Sequence, residues 1–266
     1  MSNIINPMPE LESLLKQLRL SGMLETLALH NKQAIEGQLT YPEFLALILQ
    51  DELLRRDRKK FDTRIKKGRF NPNKTIENFD FLFNPKINKA QILDIASCRF
   101  VQEKSCVLLM GPCGTGKSHI AQAIGNCATR LNIDVLFIDI TELLTSLQTA
   151  KAMGCYEKRK NALAKIPLLI IDDFGLKPLR TPQDEDFHDL LIARHERAST
   201  LITSNLAYEE WIHSFPNKLL GVAVLDRLRD RGYGVVLEGK SYRTFKNVTP
   251  KSTKKTPLKV DKNAGE

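Results

Sequence analysis

Cysteine is scarce and poorly placed for pairing. The five residues stand at positions 98, 106, 113, 127 and 155, with no CxxC pair among them. That spacing suggests neither a zinc site nor the disulfide framework of a small secreted fold, and it makes a reducing cytoplasm the expected location. Long apolar runs are missing as well. No stretch approaches the roughly eighteen apolar residues a membrane-spanning helix needs, so no membrane partner is expected. The first fifteen residues carry Glu10 and Glu12 and do not resemble a secretory leader. No internal repeat is visible, which argues against a solenoid. Acidic residues are nearly absent from two stretches. Residues 55–74 hold ten basic and two acidic side chains, and residues 240–262 hold eight basic and one acidic. The formal charge of +9 is therefore concentrated in two patches, and the remainder is mildly acidic.

At 266 residues and 42% hydrophobic content, the chain can form one substantial core with room for a small additional unit. Residues 10–35 read as helix. Leu11, Leu14, Leu15, Leu18, Met23, Leu24 and Leu27 recur at three-to-four spacing, and Gly22 is the expected point of bending or interruption. Thr40-Tyr41-Pro42-Glu43 has the form of a capping box with proline in the first turn. It opens a second helix that continues through Phe44, Leu47, Ile48 and Leu54 into the basic run. Beyond it, a stretch containing Pro72 and Pro85 lacks periodicity and reads as a linker, with Phe79, Phe81 and Phe83 placed to dock it.

From about residue 90 the pattern alternates between strand and helix. Apolar runs at 105–110, 134–139, 168–172, about 198–203 and 234–238 are separated by amphipathic segments. This predicts an α/β fold with a mostly parallel five-stranded sheet covered on both faces. The expected division is a helical N-terminal domain over 1–70, a linker over 71–89, the α/β domain over 90–248 and a basic tail over 249–266.

The chemistry is carried by Gly111-Pro112-Cys113-Gly114-Thr115-Gly116-Lys117-Ser118, directly after the first strand. In GxxxxGK[ST] the glycines let successive N–H groups curl around phosphates. Lys117 reaches their outer oxygens and Ser118 ligates Mg²⁺. The following helix begins near His119, which is grouped with the nucleotide-binding run, and presents its N-terminus to the same anion. The expected ligands are ATP and Mg²⁺, and the fold is that of a P-loop NTPase.

Asp172 and Asp173 end the third predicted strand. Asp172 is expected to join Ser118 at Mg²⁺, and Asp173 to orient or deprotonate the attacking water. Asn205, after the fourth strand, is a candidate to hold that water or to sense hydrolysis; TSN alone equally suits a turn or cap. An arginine supplied by a neighbouring subunit would stabilise the transferring phosphoryl group. Arg227, Arg229 and Arg231 are all candidates, and a salt-bridged surface cluster with Asp226 and Asp230 is the plain alternative. Arg55, Arg56, Arg58, Lys59 and Lys60 are the candidate DNA-backbone contacts, against the simpler reading of a solvated helix face.

With these residues in view, the chain resembles the IS21 insertion-sequence helper ATPases, the IstB-like proteins, relatives of the replicative-helicase loader DnaC. The resemblance runs over about residues 10–246. It rests on LLKQLRLSGM (14–23), FLALILQDELLRRD (44–57), TIENFDF (75–81), the run through the phosphate loop (108–125), LLIIDDFGLKPL (168–179), STLITSN (199–205), EEW (209–211), LDRLRDR (225–231) and GKSYR (239–243). It implies an AAA+ ATPase core, with Asn205 as sensor 1, Arg227 as the arginine finger acting in trans and Arg243 at the sensor 2 position. It further implies ATP-dependent homo-oligomers on duplex DNA that recruit or stimulate a cognate transposase. A DnaC-like loader of a replicative helicase is the alternative, and a non-hydrolysing, nucleotide-gated scaffold a third reading. Two departures stand out. Asp230-Arg231 replaces the family's usual His-His pair, and Asp172-Asp173 stands where many members have Asp-Glu.

Overall fold

Three helices open the chain in the computed structural model, which describes residues 8–230 and 232–242. They are α1 (Met8–Gln17), α2 (Ser21–Glu36) and α3 (Tyr41–Gly68). The single helix expected over 10–35 is thus two, and the break precedes Gly22. Arg19 takes a left-handed φ of 57°, and Leu20 N–H closes back onto the Leu15 carbonyl. Gly22 has a different task. A Cβ there would lie 2.8 Å from Glu52 Cα, so its missing side chain lets α2 and α3 cross closely. Glu52 fills the crossing and accepts from Gly22 N–H at 2.6 Å.

The small core at this crossing comprises Leu15, Met23, Leu27 and Ile48. Leu11, Leu14 and Leu18, on the predicted apolar face, are exposed. The expected cap of α3 is present: the Glu43 carboxylate accepts from Thr40 N–H at 2.8 Å and from its hydroxyl at 2.7 Å. The far end of α3 runs into the main body. Ile65 packs on the larger core, Phe70 just beyond the helix is buried in it, and Arg64 binds Asn132 and Asp134.

After α4 (Lys89–Ala96), capped by Asn88, and a single turn α5 (Arg99–Gln102), the strand–helix alternation begins. The strands are β1 (Cys106–Met110), β2 (Val135–Asp139), β3 (Leu168–Phe174), β4 (Ser199–Ser204) and β5 (Gly232–Val236). Between them lie α6 (Lys117–Arg130), α7 (Ile140–Ala152), α8 (Tyr156–Ala164), α9 (Gln183–Arg194), a 3₁₀ turn (Tyr208–Ser214) and α10 (Lys218–Asp230). All pairings are parallel, in the order β2-β3-β4-β1-β5. The last strand sits two residues earlier than expected, because its partner β1 ends at Met110, opposite Val236.

Alternation along the strands divides the core into two layers. Val107, Leu109 and Ile170 face α6 and α4 on one side. Leu108, Leu169, Ile171 and Ile202 face Leu143, Phe187, Leu190 and Trp211 on the other. Each such buried side chain contributes roughly 1.5–3 kcal/mol of transfer free energy. At the N-terminal edge of the sheet, buried Arg194 ties α8 to β4 by donating to the carbonyls of Leu163, Ile166 and Ser199 and to Thr200 Oγ1. Burial pushes its guanidinium down to about 10.

Candidate nucleotide-binding site

The phosphate-loop sequence connects the end of β1 to the start of α6, as its spacing predicts. Gly111, Gly114 and Gly116 have φ values of 140°, 82° and 101°, which side chains rarely adopt. Lys117 Nζ donates to the carbonyls of Gly111 and Pro112, both at 2.8 Å, and Thr115 Oγ1 to Pro112 O at 3.0 Å. The run Cys113–His119 lines one wall of a cavity of about 370 Å³. Asp173 and Asn205 reach the same cavity from the ends of β3 and β4.

The two aspartates do not simply alternate. Ile171 pairs with Ile202, but Phe174 pairs with Ser204, so β3 carries one extra residue at Asp172–Asp173. This bulge, together with a left-handed φ of 59° at Asp173, re-aims the second carboxylate from the sheet face into the cavity. Asp172 remains only 8% exposed, and its Oδ1 accepts from the Thr203 hydroxyl. The same hydroxyl accepts from Asp173 N–H at 3.0 Å, so one buried oxygen organises both acidic residues.

The opposite wall comes from the expected linker and from the segment after β5. His119 Nε2 lies 3.0 Å from Thr75 O, and its ring packs edge-on to Phe79. Lys74, Asn78, Phe79, Asp80, Phe83, Asn84, Leu176 and Tyr242 also line the cavity. Of these, sequence reasoning placed only Phe79 and Phe83 in a docking role and assigned none to the nucleotide. Asn78, Phe79 and Tyr242 do fall within the TIENFDF and GKSYR runs, and Phe79 and Phe83 within a stretch dense in aromatic residues, but neither signal points to the nucleotide.

Ser118 lines the cavity and offers a hard oxygen of the type Mg²⁺ takes, and the positive-φ glycine turn is the cradle a phosphate needs. Asp172, the other expected magnesium ligand, lies buried against Thr203 and is not among the residues that line the cavity.

Arg227 is far from this cavity. It lies near the C-terminal end of α10, donates to Ala223 O at 2.8 Å, and lines a cleft with Cys106 and Thr200. Cys106 begins the strand whose other end feeds the phosphate loop, about 16 Å away at 3.3 Å per residue. Arg229 is exposed on the same helix, whereas Arg231 and Arg243 fall outside the described residues.

The basic run lies on α3. Arg56, Lys59, Lys60, Arg64 and Lys67 line a groove of about 450 Å³ in which Asp134 is the one acidic lining residue among the described residues. The candidate contacts are not equivalent. Arg55 pairs with Glu25, Arg56 Nε with the buried Glu52 at 2.6 Å, and Lys60 with Asp57. Arg58, Lys59 and Lys67 have no carboxylate partner among the described residues. No helix among the described residues is long and apolar enough to cross a membrane.

The family model described as IstB-like ATP binding protein matches residues 13–249. A Mycobacterium tuberculosis protein named for ATP binding in an insertion sequence is 34% identical over 239 residues, covering 90% of this chain and 95% of its own length. A Pseudomonas aeruginosa protein named for ATP binding in IS21 is also 34% identical, with 89% of each chain covered. Among solved structures, DnaI superposes with a TM-score of 0.54 at 21% identity, covering 63% of this chain and 92% of its own. Domain III of the Thermotoga maritima initiator DnaA gives 0.53 at 23% identity, covering 67% and 72%. At such identities the likeness is one of fold, the AAA+ fold of replication initiators and helicase loaders.

Proposed function

The chain belongs to the IstB-like ATP binding protein family, and from that premise we propose that it is an ATPase that assembles on duplex DNA and engages the transposase of its insertion sequence. The observation that carries this reading is the placement of Arg227 and the phosphate loop at opposite ends of one sheet. An arginine so placed cannot serve its own cavity, but it can serve the cavity of a second copy stacked end to end.

In this mechanism ATP enters the cavity with its phosphates on the loop N–H groups and at the α6 N-terminus. The Lys117 ammonium, now bonded to loop carbonyls, turns to the β- and γ-oxygens. Ser118 and Asp172 are the residues that would hold Mg²⁺, which would supply charge compensation on those oxygens. Asp173 accepts the proton of the attacking water, and Asn205 holds that water at the strand end. Arg227 of an adjacent copy stabilises charge on the phosphoryl group, so turnover follows assembly. The basic face of α3 meets the phosphate backbone without reading bases, which suits an insertion device with little sequence preference. Cytoplasmic DNA is the expected working place.

Subunit mixing tests the reading. Arg227→Ala protein should bind ATP yet turn it over poorly, since a trans arginine is worth about 10³–10⁵ in rate. Adding Lys117→Ala protein should restore part of the activity, by pairing an intact loop with an intact arginine. A loss below about threefold in Arg227→Ala alone would remove Arg227 from this role.

A further inference from the structure

Asn84 stands in the expected linker, yet it is only 5% exposed and bonded to a residue 156 positions away. Its Nδ2 donates to Lys240 O at 3.3 Å, and its Oδ1 accepts from Lys240 N–H at 3.2 Å. One carboxamide therefore satisfies both peptide groups of a single residue, as a neighbouring strand would. The fit is tight: a Cβ on Gly239 would fall 2.3 Å from Asn84 Oδ1.

Lys240 lies within a short strap over the phosphate loop. At one end Leu237 N–H donates to Met110 O at 2.7 Å, the residue before the loop. At the other, Tyr242 N–H donates to Gly114 O at 3.0 Å, and its ring meets Phe83 edge-on at 4.9 Å. Ser241 presses on the same glycine, where a Cβ would lie 2.1 Å from Ser241 Oγ. The middle of the phosphate loop thus rests on a segment that sits more than a hundred residues later in the chain. Between the strap's two attachments to β1 and the loop, the carboxamide of Asn84 is what grips its backbone.

We propose that Asn84 is a positioning residue for phosphate binding: it latches the Leu237–Tyr242 strap, and the strap holds Gly114 in its phosphate-cradling conformation. The proposal rests on the ATP-binding reading of the cavity and adds a device to it. Reciprocity follows from linkage: if the latched strap favours phosphate binding, bound phosphate must favour the latched strap. Because Asn84 also borders the cavity, the rival role is a direct contact with the base or sugar of the nucleotide.

The test uses the full-length protein and two ligands with Mg²⁺, ATP and inorganic tripolyphosphate, which has neither base nor sugar. Asn84→Ala should weaken both by the same factor, about tenfold, while the wild-type far-ultraviolet spectrum is retained. Hydrogen exchange gives a second readout. Tripolyphosphate should slow exchange at the Lys240 and Tyr242 amides in wild type and leave both fast in Asn84→Ala. Should that variant fail to fold, Tyr242→Pro removes the N–H that reaches Gly114 and takes its place with the same two ligands. Loss confined to ATP would overturn the latch in favour of a base or sugar contact, and unchanged affinity for both would overturn it outright. Wild-type protein that binds neither ligand would instead overturn the ATP reading itself.

Discussion

Thr203 on β4 donates its hydroxyl to Asp172 on β3, and it receives Asp173 N–H on the same oxygen. The hydroxyl is fully buried, so no water can replace it without a change in packing. Thr203→Val keeps the shape and removes both bonds. Groups that orient a metal ligand typically cost about 10–100-fold in metal affinity when lost. The Mg²⁺ concentration for half-maximal turnover should rise by roughly that factor, with Thr203→Ser close to wild type. An unchanged Mg²⁺ dependence in Thr203→Val would remove Thr203 from the site's support.

Lys117 and Asp173 should separate binding from turnover. Lys117→Ala removes the cation that compensates the outer phosphates, so nucleotide titration and hydrolysis should both collapse. Asp173→Asn keeps a polar side chain at the cavity but cannot take a proton. It should bind ATP within a few-fold of wild type while hydrolysis falls by about 10²–10⁴-fold, the usual scale for a general base. Normal hydrolysis by Asp173→Asn would move the base elsewhere without touching the nucleotide site.

On the basic face of α3, Arg56 is a poor choice for charge reversal because it neutralises buried Glu52 under Gly22. Arg58, Lys59 and Lys67 are the informative set. Reversing all three should weaken binding to unrelated duplexes alike, since phosphate contacts carry no base information. Each lost contact should also lower the slope of log affinity against log salt by about 0.9. A salt titration of labelled duplex with ATP present measures both quantities. Equal slopes for variant and wild type would return the groove to a solvated helix face.

The helical unit has a pH dependence of its own. His30 Nε2 lies 2.6 Å from Asp51 Oδ2, and that hydrogen bond holds the imidazole above its ordinary value of 6.5 despite the opposing effect of burial. A raised folded-state value stabilises the fold fully below about pH 6.5 and loses that contribution as pH climbs through the folded value. Thermal melting should therefore fall from pH 6 towards pH 8 in wild type, and fall less in His30→Ala. A parallel profile in the two proteins would show that the pair contributes nothing to the dependence.

Elements set by local chemistry were readable from the residues alone. The phosphate loop is one run of eight, so its glycines, Lys117 and Ser118 announce themselves without any knowledge of the fold. The cap at Thr40 and Glu43 spans four residues, and the apolar runs of the sheet are contiguous, as strands covered on both faces require. Long-range pairing decided the rest. Gly22 looked like a helix breaker because its real partner, Glu52, is thirty residues away. The edge of β5 was set by where β1 stops, and the aim of Asp173 by a bulge that exists only once β3 lies beside β4. Asn84, Thr203 and Tyr242 belong to the site through bonds to distant backbone and side chains, and no spacing in the chain encodes such bonds. The sequence by itself therefore determined the local chemistry that meets phosphate. Only the tertiary structure decided which distant groups hold that chemistry in place, because those contacts depend on the packing of elements whose separation along the chain leaves no periodic trace.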